Sequence, residues 1–137
     1  RLREVTEGGL VVRKLGHKVR IDDGPAEVAC TNFYLDDAEW SMLAGLPARI
    51  LHKQRWRVMC EGQRVAVDVF GGDLVGLVLA EIDLGSGPDP GLPEGFDVAA
   101  EVTHDEAFTG AGLAAATPTD LAAAAGRYGV DLGRSSP

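Results

Sequence analysis

Cysteine and histidine are scarce in this chain, and their spacing removes whole classes of chemistry. Only Cys30 and Cys60 carry thiols, and only His17, His52 and His104 carry imidazoles. The cysteines form no CxxC and no metal spacing, so they are expected to be reduced, buried, structural thiols of a cytoplasmic protein. With no HxH or HExxH, a zinc site is not expected. No apolar run approaches the ~18 residues of a membrane-spanning helix. Gly8-Gly9 and Gly71-Gly72 lack the strand–GxxxxGK–helix context of a phosphate loop, and Ser41, Ser86, Ser135 and Ser136 have no GxSxG. Basic residues are in deficit, 13 Lys plus Arg against 21 acids, for a formal charge of −8. Such a surface repels nucleic acid and anionic membranes unless its cations gather in one place.

What is present is a core. The 137 residues are 45% apolar, which suits one packed domain. Alternation predicts strands over 1–6, 10–15, 17–21, 28–35, 50–59, 64–70, 77–84 and 98–103. Glu7-Gly8-Gly9, Asp22-Asp23-Gly24-Pro25 and Gly71-Gly72-Asp73 read as turns, and 85–95 as a Gly/Pro-rich loop. Asp36-Asp37 caps a predicted helix over 38–44, with Trp40, Leu43 and Ala44 on its buried face, ended by Leu46-Pro47. A second helix is predicted over 108–116. Thr117 with Pro118 starts a third, running to about Tyr128 and stopped by Gly129, with 131–137 as a tail.

Splitting the strands by parity sorts the charges. Over 50–59, Leu51, Lys53, Arg55 and Arg57 share one face, opposite Trp56, which is assigned to the core. Over 64–70, Arg64, Ala66, Asp68 and Phe70 share a face opposite three valines, and over 77–84 Glu81 and Asp83 do so opposite apolar residues. Arg1 and Arg3 share a side, as do Val12 and Lys14. A solvated sheet face usually mixes signs, whereas here some strands carry only cations while Asp68, Glu81 and Asp83 fall close together. Facing carboxylates call for a cation between them, and hard oxygen ligands suit Mg²⁺ or Mn²⁺. On pattern alone, a solvated face and a polyanion site with a metal both stand.

The order of segments resembles the CYTH domain, the triphosphate tunnel metalloenzyme family. Arg1-Leu2-Arg3 is similar to its RxR strand, and Val12-Arg13-Lys14 to the strand ending in a phosphate-binding lysine. Phe33 to Trp40 resembles its strand-into-helix step, and Ile50 to Arg55 its KxR strand. Ala66 to Phe70 followed by Gly76 to Leu84 resembles its most recognisable block, and Glu101 to Asp105 followed by Phe108 its closing segment. The resemblance covers Arg1 to about Ala116, within a CYTH-like domain over 1–130.

It implies an α+β fold: an antiparallel β-barrel or tunnel, eight-stranded in the family, with helices packed outside. It implies a metal-dependent hydrolase of inorganic triphosphate or a triphosphorylated small molecule, with Mg²⁺ or Mn²⁺ as cofactor and no nucleic-acid or membrane partner. A class IV-type adenylate cyclase and a non-catalytic polyphosphate- or nucleotide-binding module are the alternatives. By resemblance Arg1, Arg3, Lys14, Lys53 and Arg55 bind phosphate, with Arg57 added by parity. Asp68, Glu81, Asp83 and Glu101 correspond to metal-binding acids, and no catalytic residue is assigned. If their side of the strand lines a lumen, Lys53 and Arg55 are expected to be uncompensated until a polyanion arrives. The family's ExExK strand has no counterpart, since no Glu-x-Glu occurs. Its usual place a few dozen residues before RxR leads to the expectation of a clipped beginning at Arg1.

Overall fold

A computed structural model of the chain describes residues 1–20, 28–82, 91 and 93–132. Among the described residues the architecture is α+β, with two three-stranded antiparallel sheets and three short helices, and no closed barrel forms. The chain divides into two compact units, Arg1–Arg49 and Ile50–Pro137.

In the first unit β1 (Leu2–Glu7), β2 (Leu10–Arg20) and β3 (Val28–Tyr34) form a sheet in that order. Gly8 and Gly9, at φ +58° and +82°, make a two-residue turn that suits the twist of the flanking strands. β2 runs unbroken through Gly16, where two strands were expected. The Gly16 N–H donates to the Arg1 carbonyl at 2.7 Å, which continues the ladder there. The expected turn over 22–25 lies outside the described residues. α1 (Asp37–Ala44) starts at a capping box: Asp36 accepts from the Glu39 N–H at 2.8 Å, and Glu39 accepts from the Asp36 N–H at 2.9 Å. Trp40 and Leu43 are half-buried but Ala44 is exposed, so the buried face is narrower than predicted. Trp40 lies beneath the Arg13 guanidinium, 5.3 Å from its ring centroid. Arg13 also bonds Glu4 at 2.7 Å and reaches Asp37 at the start of α1.

The second unit holds β4 (Lys53–Cys60), β5 (Gln63–Phe70) and β6 (Val78–Ile82), again paired in chain order. Residues 50–52 precede β4 rather than belonging to it, tied by a bond from the Gly71 N–H to the His52 carbonyl. Glu61 and Gly62, both at positive φ, close the β4–β5 hairpin. After β5 the chain tightens through Gly72–Leu74 before entering β6. That turn seeds the core, in which Phe70, Leu74 and Leu77 pack with Leu113 and Leu121, flanked by Leu51, Leu79, Phe108, Ala116 and Leu132.

Several expectations are corrected here. No strand forms over 98–103; a turn from the Val102 carbonyl to the Asp105 N–H bends the segment, and Asp105 then caps the next turn through the Ala107 N–H. Trp56, assigned to the core by parity, is 59% exposed, and Val58, Val69 and Val78 on the same face are exposed too. Val65 on that face is buried, but the main cluster takes Phe70, flanked by Leu79, from the charged face, because the Gly72–Leu74 turn and the helices close over that end of the sheet. Cys30 is exposed on β3 and Cys60 half-buried at the hairpin end, so neither is a core thiol.

α2 (Gly110–Ala115) and α3 (Pro118–Gly126) follow. Thr117 and Asp120 form a capping box, with Pro118 at the first helical position. α3 stops at Gly126, short of Tyr128. Arg127 and Tyr128 both turn to Asp105, at 2.6 and 3.0 Å, and hold its carboxyl below the usual range, with Arg127 the main cause. Thr117→Ala removes the hydroxyl that accepts from the Asp120 N–H and is expected to cost about 1 kcal/mol in urea unfolding. An unchanged midpoint would mean that tertiary packing, not the cap, starts α3.

Candidate anion-binding site

The Glu61-Gly62 turn fixes the β4–β5 register, and the register fixes the site. Arg55 pairs with Asp68 and Arg57 with Ala66; Ala66 in turn pairs with Glu81, and Asp68 with Leu79. Directly paired residues in antiparallel strands share a face. Lys53, Arg55, Arg57, Asp68 and Glu81 therefore all lie on one side of the second sheet.

Asp68 is at the centre of this face, on the middle strand, and is 0% exposed. Its burial follows from its neighbours: Leu79 is its partner on β6, and Phe70, two residues along, is sealed in the core. Arg55 forks onto it, Nε to Oδ1 and Nη2 to Oδ2, both at 2.6 Å. The Lys53 ammonium also donates to Oδ2 and lies 5.6 Å from the Phe70 ring centroid. Arg55 reaches a second acid, donating from Nη2 to Glu81 Oε2 at 2.6 Å. Burial pushes the Asp68 carboxyl up, but the hydrogen bonds from Arg55 and Lys53 outweigh it and hold it below the usual carboxylate range. The Arg55 guanidinium is raised, chiefly by its bond to Asp68.

Lys53 and Arg55 are therefore not uncompensated, contrary to the expectation from the sequence. Nor does a metal have to separate the acids, because the cation between Asp68 and Glu81 is the Arg55 guanidinium. Asp68 does not fit a metal ligand: both of its oxygens already accept charged N–H donors in a buried place. Glu81 is 57% exposed, and Glu101 is exposed on an irregular segment outside the sheet. Asp83 lies outside the described residues. Among the described residues no three His, Cys, Asp or Glu side chains gather closely enough to hold a metal ion.

The remaining cations expected to bind phosphate belong to the first unit. There Arg3 pairs with Lys14, which pairs with Tyr34, so two of the expected phosphate ligands share a sheet face. Arg1 falls on the same side by parity, and its ammonium donates to the Gly16 carbonyl at 2.6 Å. Sequence reasoning missed the Asp68–Arg55–Lys53 cluster. The signal was the two-residue turn, which sets every pair down the ladder.

An antiparallel sheet face on which two cations hold a buried carboxylate can bind an anion with the donors that the carboxylate leaves over. No protein-family profile, curated protein or solved structure matches this chain. No helix among the described residues is long and apolar enough to cross a membrane.

Proposed function

We propose that this chain is a triphosphate-tunnel-type domain that binds the triphosphate group of a small molecule on the cationic face of its second sheet. The observation that carries the reading is the gathering of Lys53 and Arg55 on a buried counter-ion, Asp68, with Arg57 on the same face of the second sheet. The pairing of Arg3 with Lys14 in the first unit supports it. The reaction that suits this reading is hydrolysis of inorganic triphosphate, or of a triphosphorylated small molecule, with Mg²⁺ or Mn²⁺. Asp68 is not among the ligands for that metal. The protein's part is electrostatic, since neutralising and aligning phosphoryl oxygens is most of what phosphoryl transfer asks of it.

One observation favours a second reading, a non-catalytic polyphosphate-binding module: Asp68 and Glu81 are both engaged by Arg55. The two readings separate by assay. Calorimetry should show tripolyphosphate binding to the wild type. Lys53→Ala should weaken it by roughly 10- to 100-fold, about 1.5–3 kcal/mol for one charge-assisted contact. Mg²⁺-dependent phosphate release distinguishes hydrolase from binder. Unchanged affinity in Lys53→Ala, or an effect erased by moderate salt, would leave only a solvated face.

A further inference from the structure

Arg55 has five N–H donors and Lys53 three. Asp68 and Glu81 occupy the Nε–H and both hydrogens of Nη2, and one ammonium hydrogen of Lys53 goes to Asp68. Nη1 of Arg55 has no partner among the described residues. Among the described residues two donors on each side chain are left over, and both side chains are about a third exposed, at 30% for Lys53 and 35% for Arg55. Long cationic side chains on a sheet surface ordinarily sample many rotamers. Here one buried carboxylate takes hold of both, and the bidentate fork fixes the plane of the guanidinium.

We infer that Asp68 is a positioning residue for anion binding rather than a metal ligand: it holds Lys53 and Arg55 so that their remaining N–H donors meet the same phosphoryl chain. The inference rests on the anion-binding reading above and adds to it a role opposite to the one that the family resemblance gives this acid. It also makes a prediction of unusual sign. Simple electrostatics says that deleting a carboxylate beside an anion site strengthens anion binding, because the face gains one unit of positive charge. Positioning says that binding weakens, because the two cations lose their common anchor.

The experiment is tripolyphosphate calorimetry on wild type, Asp68→Asn and Asp68→Glu, first in EDTA and then with Mg²⁺. The expected result is binding by wild type in EDTA and about tenfold weaker binding by both variants. Asp68→Glu tests geometry without a change of charge. Equal or tighter binding by Asp68→Asn in EDTA overturns the inference, and a loss that appears only with Mg²⁺ overturns it in favour of a metal ligand. Absence of binding by wild type defeats the anion-binding reading itself and the inference with it. Should neither variant fold, a measurement on the wild type decides. The Arg55 Nε–H resonance should stay protected from exchange when tripolyphosphate is added, since the fork to Asp68 persists in the complex. Faster exchange on binding would mean that the anion displaces Asp68, and would refute the anchor.

Discussion

Asp68→Ala is expected to destabilise the second unit by about 3 kcal/mol in urea unfolding, the largest effect of any single charge removal among the described residues. The substitution leaves Lys53 and Arg55 without the carboxylate that three of their hydrogen bonds reach. Losing one partner of a fully buried ion pair costs about 3–5 kcal/mol, and both cations keep about a third of their side chains in water, which argues for the bottom of that range. The same contact has a pH signature. Folding lowers the Asp68 carboxyl below its ordinary 3.8, so its contribution is present in full above that value. It is lost as pH falls from there through the lower folded value. Acid unfolding midpoints below about pH 4 should therefore separate wild type from Asp68→Asn, the variant being less sensitive to acid. Asp105 and Asp120 are also lowered, so the difference between the two proteins carries the information, not the wild-type curve alone. Stability within ~0.5 kcal/mol of wild type for Asp68→Ala would make the cluster an ordinary surface pair.

Gly112→Ala is the second large effect, and its sign runs against helix propensity. Gly112 lies inside α2, where alanine normally gains about 1 kcal/mol over glycine. A Cβ at this position would stand 2.2 Å from the Glu106 carbonyl oxygen and 2.9 Å from that of Ala107. Both are backbone atoms of the turn on which α2 sits, so neither can swing aside as a side-chain tip would. Relief means lifting α2, and with it Leu113, out of the core. We expect a loss of about 3 kcal/mol and a melting temperature lower by roughly 10 °C or more. Gly126→Ala is the control: nothing lies within 4 Å of its Cβ position at the end of α3, and it should be neutral or stabilising. Equal stability of the two variants would show that the approach of α2 to the Glu106 turn is loose.

Much of the fold was legible because alternation and turn chemistry are local. The strands around Gly8-Gly9 and on either side of Glu61-Gly62, the Asp36 cap and the Thr117 cap all follow from residues within a few positions of one another. Parity also grouped Lys53, Arg55 and Arg57 on one side of their strand and set Asp68 and Glu81 each on the charged side of its own, which the register bears out. What parity does not give is who stands opposite whom. The turn geometry carries that, and it turns two separate walls of opposite sign into one interleaved face with Arg55 between two acids. The exposure of Trp56 was hidden for a related reason. An apolar face is buried only where another element covers it, and here the helices pack beside Phe70 and Leu79. The segment 98–103 has strand-like composition, and its course was decided instead by the Asp105 turn.

The two tryptophans fall one to each compact unit, Trp40 in the first and Trp56 in the second. Trp40 is half-covered and sits under a guanidinium, whereas Trp56 stands largely in water. Their emission is therefore separable by wavelength and by accessibility to a soluble quencher. The chain carries a built-in pair of optical probes, one reporting the loss of the Arg13 stack and the other the fraying of β4, so the melting of each unit can be followed without any label.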